Sequence, residues 1–482
     1  MIDMEQEKPI IVWLRHDLRL ADNPALYHAA YNKTPILPVF IYDPDAMDRD
    51  YGAAQKWWLH HALISLRDDF KKNDVDFIVR KGDSKTILDE LIKEIDAGGV
   101  YWNRFYEKWQ IDRDTDIKKD LHNRGLDVHS FQAHVLFEPW KIESGSGHHY
   151  KVFTPYYKNC MEKADKIDDP LPEPNSMVSA SHSLNIGNIN DFAFLPEIRW
   201  DKKMQDDWEI TENAAHKQLS HFLKNGLENY ETGRDCPSID ATSRMSPYLR
   251  WGMISPRTIW YETKSYIGSH NVSNKQGESY LRELFWREFT HHLLYYYPDM
   301  KSKPIQEKFE DFPWKRYKTY REAWQKGETG YPLVDAGMRQ LWQTGWMHNR
   351  VRMIVGSLFV KHLLQPWQDG EAWFWDCLVD ADPANNTAGW QWIGGCGADA
   401  APYFRIFNPI TQGEKFDSYD YVRKFVPEIA DLPDKYLFSP WEAGKDILQE
   451  YGIKLGETYP EPLVTHKEGR ERALDAFKKI KK

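Results

Sequence analysis

Over residues 1–130 the chain alternates between short unbroken apolar runs and longer stretches whose apolar residues return every three or four positions. The runs are PIIVWL (9–14), PILPVFIY (35–42), VDFIV (75–79), GGVYW (98–102) and LDVHSF (126–131). Continuous apolarity is what a strand covered on both faces needs. Between the runs, NPALYHAAY (23–31), KWWLHHALISLRDDF (56–70), SKTILDELIKEID (84–96) and DRDTDIKKDLHNR (112–124) carry helical spacing. This rhythm predicts βαβ units and an α/β domain over 1–133, built on a doubly wound parallel sheet of Rossmann-like type. Such sheets take ligands at the carboxyl ends of their strands. No GxGxxG follows the first strand, so a nicotinamide-type site there lacks support.

The pattern changes twice further on. Residues 134–204 contain ESGSGHH and a stretch rich in Pro, Ser and Asn, and read as a connection between domains running over the surface. From 205 to 482 the strand signals vanish and an all-α domain is predicted. Its helical stretches include ESYLRELFWREFTHHLLYYY (278–297), DAGMRQLWQT (335–344) and GWMHNRVRMIVGSLFVKHLL (345–364). The last is unusual, because His348, Asn349, Arg350 and Arg352 stand among large apolar residues. No internal repeat or low-complexity block appears.

Composition narrows the picture. Twenty-one tryptophans suit flat ligands, although most large aromatics are simply core. A net charge of −10 excludes a chain coated in positive charge, but not a local basic patch. Between residues 330 and 362, Arg339, Arg350, Arg352 and Lys361 face only Asp335, a local basic excess. The four cysteines form no CxxC pair, so zinc and iron–sulfur sites are not expected and the thiols are read as reduced. The N-terminus lacks a signal-peptide pattern and no apolar run approaches a membrane span, so a cytoplasmic protein is expected.

Four stretches carry candidate chemistry. TSRMSPYLRWGMISP (242–256) groups the hydroxyls of Thr242, Ser243 and Ser246 ahead of a helix, a place that suits phosphate or ordinary capping. ESYLRELFWREF (278–289) puts Glu283 and Trp286 three residues apart on one helical face, with Arg287 beside them. A carboxyl held against an indole in an apolar setting has its pKa raised. DADPANNTAGWQW (380–392) reads as a polar recognition loop packed on aromatics, because Pro383 and Gly389 argue against a helix. DAAPYFRIFNPITQGEKFD (399–417) interleaves Arg405 and Lys415 with aromatics, a pattern suited to nucleic acid or to a core segment with a paired arginine.

In order along the chain, WLRHDLRLADNPAL (13–26), TSRMSPYL, WREF, TGYPLVDAGMRQL, GWMHNRVRM and APYFRIFNP with TQGEKFD resemble the photolyase/cryptochrome family of flavoproteins over nearly the whole length. The resemblance implies FAD folded into a U shape in the helical domain. Flavin contacts carried over from the family fall on Tyr230, Thr242, Ser243, Met245, Ser246 and Arg287. The others fall on Asn349, Arg352, Asp380, Asp382 and Asn386. Arg352 and Asp380 are expected as a buried ion pair beside the flavin, and Asn386 at flavin N5.

The implied activity is light-driven splitting of cyclobutane pyrimidine dimers in UV-damaged DNA, single- or double-stranded, by electron transfer from excited reduced FAD to a flipped-out dimer. Glu283, Trp286, Asn349 and Met353 match the residue types that meet the dimer. Trp390, Trp367 and Trp314 match an electron-transfer chain, and Arg234, Arg350 and Arg405 match phosphate contacts. Two other functions stay open: a cryptochrome-type blue-light photoreceptor that binds FAD without repair, against which the resemblance sets Asn386, and a flavin-free nucleic-acid-binding module. The family often carries an antenna chromophore, and the resemblance leaves three outcomes open here: a folate such as methenyltetrahydrofolate bound differently, which is favoured, another chromophore, or none. However, YEKWQ (106–110) puts Trp109 and Gln110 where folate-binding relatives use an Asn–Glu pair. A monomer without resident metal is expected.

Overall fold

The computed structural model describes residues 8–180, 184–270 and 272–480. Its first layer is a parallel sheet of β1 (Ile10–Leu14), β2 (Pro35–Tyr42), β3 (Ile78–Lys81), β4 (Gly99–Asn103) and β5 (Asp127–Phe131), in the order β3-β2-β1-β4-β5. All five predicted strands are present. The third begins three residues late, because Val75 and Phe77 spend their apolar surface in the core before pairing starts. Two-sided burial of β1, with every residue inside, explains its unbroken apolar run.

The stretch expected to run over the surface is more structured than its composition suggests. It carries a helix, α1 (Phe153–Glu162), whose Phe153, Tyr156 and Cys160 are buried. It also returns a two-residue strand, β6 (Val178–Ser179), to the sheet beside Pro35 and Ile36 of β2. The main helices of the rest are α2 (Ser246–Arg250), α3 (Asn274–Tyr296), α4 (Pro332–Thr344), α5 (Asn349–Ser357), α6 (Trp367–Cys377), α7 (Pro383–Gly394) and α8 (His466–Lys479). No helix among the described residues is long and apolar enough to cross a membrane. The four cysteines are free, as expected.

The two layers meet at backbone contact. A side chain at Gly52 would lie 2.1 Å from the Trp375 carbonyl oxygen, and one at Gly252 (φ +63°) would lie 2.1 Å from that of His16. The polar motif after β1 is spent on this seam. Arg19 donates to the Gly252 carbonyl at 2.9 Å, Leu18 N–H to that of Trp251 at 3.1 Å, and Asp22 pairs with Arg257 at 2.6 Å. These buried charges all have partners, as buried charges must.

Two expectations about helices are corrected. GWMHNRVRM does not open one continuous helix. Gly345 (φ +68°) closes α4 in the left-handed conformation, and α5 starts at Asn349 with His348 as its cap. Beyond Ser357 the chain takes a π turn over Leu358–His362. The second correction concerns 380–392, which is mostly helix α7 and not a loop. Pro383 is its first residue, where a missing N–H costs nothing, and the Asp382 carboxylate accepts from Ala384 and Asn385 N–H at 3.0 and 2.8 Å. Gly389 is tolerated mid-helix beside open space at the cavity.

Candidate cofactor and substrate pocket

A cavity of about 640 Å³ opens among α2, α3, α5, α6 and α7. Its size is that of a cofactor site. It is lined by Tyr230, Ser243, Met245, Ser246, Arg287, Asn349, Arg352, Asp380, Asp382 and Asn386, which is the predicted flavin set without Thr242. Glu283, Trp286 and Met353 line the same space, as do Arg234, Arg350 and Arg405. Residues nearly two hundred positions apart therefore converge on one void.

The polar floor is rigid. Arg352 grips Asp380 with two bonds, at 3.2 and 2.8 Å, and its Nε donates to the Met347 carbonyl at 2.8 Å. Asp380 also accepts from Ser246 Oγ at 2.6 Å. The expected ion pair is present, with the carboxylate buried and the guanidinium partly exposed to the cavity. His348 holds the start of α5 by accepting the Arg350 N–H on Nδ1 at 3.2 Å, a role for neutral imidazole. Burial pushes its pKa down to about 4. Asn386 donates to the Glu371 carboxylate at 2.7 Å and to its carbonyl at 3.1 Å. Glu371 in turn takes Arg49 at 2.8 Å, and burial pushes its carboxyl above the usual range. Arg287 donates to the His134 carbonyl at 2.8 Å, while burial lifts neighbouring Glu288 to about 7.

The substrate-side expectations fare differently. Glu283 is not enclosed in an apolar setting; its carboxylate is ion-paired with Arg234 and about one-third exposed. Arg350 pairs with Asp235 and lies 4.4 Å over the Phe416 ring. The local basic excess is likewise engaged within the protein: Arg339 meets Glu428 at 2.7 Å, while buried Lys361 donates to the Arg405 carbonyl at 2.7 Å and burial pushes its pKa down to about 7. Sequence proximity overstated this patch because its acidic partners lie about 30–115 residues away. Arg405 remains exposed at the pocket.

Of the three tryptophans, Trp390 lines the cavity, whereas Trp367 and Trp314 do not. Trp390 rests on Gly370, one turn along α6 from Trp367, where a β-carbon would meet its ring at 2.2 Å. Trp314 is partly buried, and the next residue's N–H bonds the Leu364 carbonyl at 2.7 Å, ahead of α6. Sequence reasoning missed Trp392 and Tyr280, which line the pocket, and Glu371, which holds Asn386. Trp392 follows Trp390 in the same GWQW run, and Glu371 is an acid inside an otherwise apolar helix face; both signals were present.

At the carboxyl ends of β1 and β4, side chains of the protein pack on one another. Arg15 pairs with Asp114 at 2.6 Å and lies 4.8 Å from the Trp13 and Phe105 rings. Arg113 sits against Trp13 and Trp109 at 4.6 and 4.9 Å, and Gln110 is buried.

A parallel α/β layer joined to a helical layer that holds a large, polar-floored pocket defines a two-layer cofactor protein. Comparison with known proteins then gives the family. Residues 10–175 match the family described as DNA photolyase, and residues 280–479 match the FAD binding domain of DNA photolyase. The chain is 44% identical to the deoxyribodipyrimidine photo-lyase of Agrobacterium fabrum, covering 98% of each protein. It is 33% identical to cryptochrome-1 of Arabidopsis thaliana over 98% of this chain and 70% of that protein. The crystal structure of a bacterial class III photolyase from Agrobacterium tumefaciens matches with a TM-score of 0.96 and 43% identity, covering 100% of this chain and 99% of that one. The chain belongs to the photolyase/cryptochrome family, and its helical domain is an FAD-binding domain.

Proposed function

We propose that this protein repairs cyclobutane pyrimidine dimers in UV-damaged DNA, using light and FAD held in the pocket. The observation that carries the reading is the convergence on one cavity of Glu283, Trp286, Asn349 and Met353 with the Arg352–Asp380 pair and Asn386. The deoxyribodipyrimidine photo-lyase relatives support it. The pocket fits FAD in volume and donor set: acceptors and donors lie on its floor, and apolar Leu284, Leu249 and Met245 form its walls.

When bound, FAD supplies light absorption and electron donation. The residues do the rest. The Arg352–Asp380 pair and Ser246 hold charge and orientation at the floor. Asn386, itself held by Glu371, presents its amide to the ring. Trp286 offers a flat face to the flipped-out dimer, and Met353 closes apolar contact around it. Glu283 exchanges its bond with Arg234 for one to the dimer, which frees Arg234 for phosphate together with Arg350 and Arg405. Trp390, Trp367 and Trp314 carry electrons between cofactor and surface. The protein acts as a cytoplasmic monomer.

A folate antenna belongs to the same reading. Arg15, Arg113 and the indoles around them occupy the crevice where this sheet topology takes ligands, so an antenna in this reading is held elsewhere. Chromophores released from the purified protein test it: folate fluorescence is expected beside flavin, and flavin alone sinks the antenna.

Illumination of the purified protein with a dimer-containing oligonucleotide tests the activity. Light-dependent loss of the dimer is expected. The plant cryptochrome relative supports a second reading, a photoreceptor, and flavin photochemistry without any loss of dimer would select it.

A further inference from the structure

Trp286 does not stand alone in its wall. The Phe153 ring, at the first residue of α1, stacks on it with centroids 3.7 Å apart and planes 7° from parallel. Phe289, from the same helix as Trp286, closes edge-on against both rings, at 6.0 Å from Trp286 and 5.8 Å from Phe153. Trp286 is partly exposed and lines the pocket; Phe153 is 1% exposed and does not. One face of the indole is thus covered by a fixed ring.

The backing ring is itself anchored. The N–H of Phe153 donates at 2.9 Å to Asp399, a residue that lines the cavity from the segment before Arg405. Tyr157, one turn along α1, stacks on Phe153 at 5.7 Å. Arg282, one turn before Trp286 on α3, lies 5.1 and 5.0 Å from these two rings. Three parts of the chain therefore meet behind one indole: the segment between the domains, α3, and the loop after α7.

An aromatic platform binds a flat ligand best when its plane is set beforehand, because ordering the side chain is then not charged to the binding step. A lone indole on a cavity wall turns about two side-chain bonds, and a parallel ring at van der Waals distance removes that freedom. We infer that Phe153 is a positioning residue for substrate, fixing the Trp286 plane for a flipped pyrimidine dimer, and that Asp399 fixes Phe153 in turn. This rests on the reading of Trp286 as the surface on which the dimer stacks.

The test compares affinity for dimer-containing and undamaged oligonucleotide of one sequence at one salt concentration, using FAD-loaded protein in the dark. Phe153→Leu keeps apolar volume and removes the flat face. The ratio of the two affinities should fall about tenfold, within the span that loss of one base–aromatic stack produces. Flavin content and affinity for undamaged DNA should stay within about twofold of the parent, the usual scatter of such context effects. Phe153→Tyr, which keeps the ring, should hold the ratio near the parent value. An unchanged ratio in Phe153→Leu, or equal loss for both DNAs, overturns the inference, as does failure of Phe153→Tyr to hold it. Should Phe153→Leu fail to load flavin, Phe153→Met decides the question by the same ratio. Trp286→Ala is measured alongside. If it keeps the ratio, the stacking reading has failed; if it loses the ratio while Phe153→Leu keeps it, only the positioning inference has failed.

Discussion

The crevice above the sheet and the pocket among the helices are both built from buried charges and indoles, yet they use those groups differently. Above β1 and β4, Arg15 meets Asp114 and Arg113 lies against Trp13 and Trp109, so the charges find their partners within the protein. In the helical pocket, Arg352 and Asp380 also pair, but the pair faces about 640 Å³ of open space with Ser246 and Asn386 beside it. A doubly wound sheet makes the crevice the default place for a ligand. The comparison teaches that topology proposes a site and side-chain volume disposes of it. What marks a ligand site is polar groups whose remaining bonding capacity points into a void.

The sharpest break of this comparison is to unpair both regions. Arg352→Ala leaves the buried Asp380 carboxylate with only Ser246, at a cost of about 3–5 kcal/mol. The variant should purify with little flavin, read from the ratio of visible to ultraviolet absorbance. Arg15→Ala leaves Asp114 paired with Arg113 at 2.8 Å and removes one charged hydrogen bond, so it should lower stability by less, about 1.5–3 kcal/mol, while the flavin ratio stays at the parent value. Loss of flavin in Arg15→Ala would join the two regions that the structure separates.

A smaller effect tests the substrate side of the pocket. Glu283→Ala should cut the dimer-splitting yield about tenfold or more, the scale of a lost charge-state hydrogen bond of ~1.5–3 kcal/mol, and weaken dimer binding less. Single-turnover yields at saturating protein measure it, and an unchanged yield contradicts the assigned role.

The smallest effect concerns pH. Burial lowers His348, His291 and His292 to about 4, against 6.5 for an exposed histidine. At these three sites the unfolded chain takes up protons between pH 6.5 and 4 that the folded chain refuses, so their contribution is full above 6.5 and falls as pH drops through that window, outweighing the opposite contribution of the raised carboxyl of Glu288. Urea midpoints at pH 7, 5.5 and 4.5 should decrease in that order. His348→Gln, which keeps an acceptor for the Arg350 N–H, should flatten part of the slope.

How much of this was legible in the chain depends on which signal each part emits. The strands were legible because two-sided burial demands unbroken apolar runs, and β1 and β2 fall within a residue of expectation. Most of the pocket was legible from short motifs, and every predicted flavin residue except Thr242 lines the cavity. Helix α7 was not, because Pro383 and Gly389 read as breakers until Asp382 is known to cap the helix and the cavity to lie beside the glycine. The basic patch was overread because Glu428, Asp235 and Asp380 reach it through space alone. The buried face of α1 was hidden by the polar segments that flank it.

The seam at Gly52 and Gly252 has a dynamic consequence. Each layer presents a glycine against the other's backbone, so neither has a cushion of side chains to slide on. Arg19, Asp22 and Arg257 then pin the contact between those two points of closure. Hinge motion needs a few residues free to absorb rotation, and at these contacts the backbones and the Arg19, Asp22 and Arg257 side chains are held. Substrate access is then a matter of DNA deforming to reach a preformed cavity, with the energetic burden of recognition falling on the duplex. Scattering profiles of free and DNA-bound protein, with the DNA contrast-matched, should superimpose.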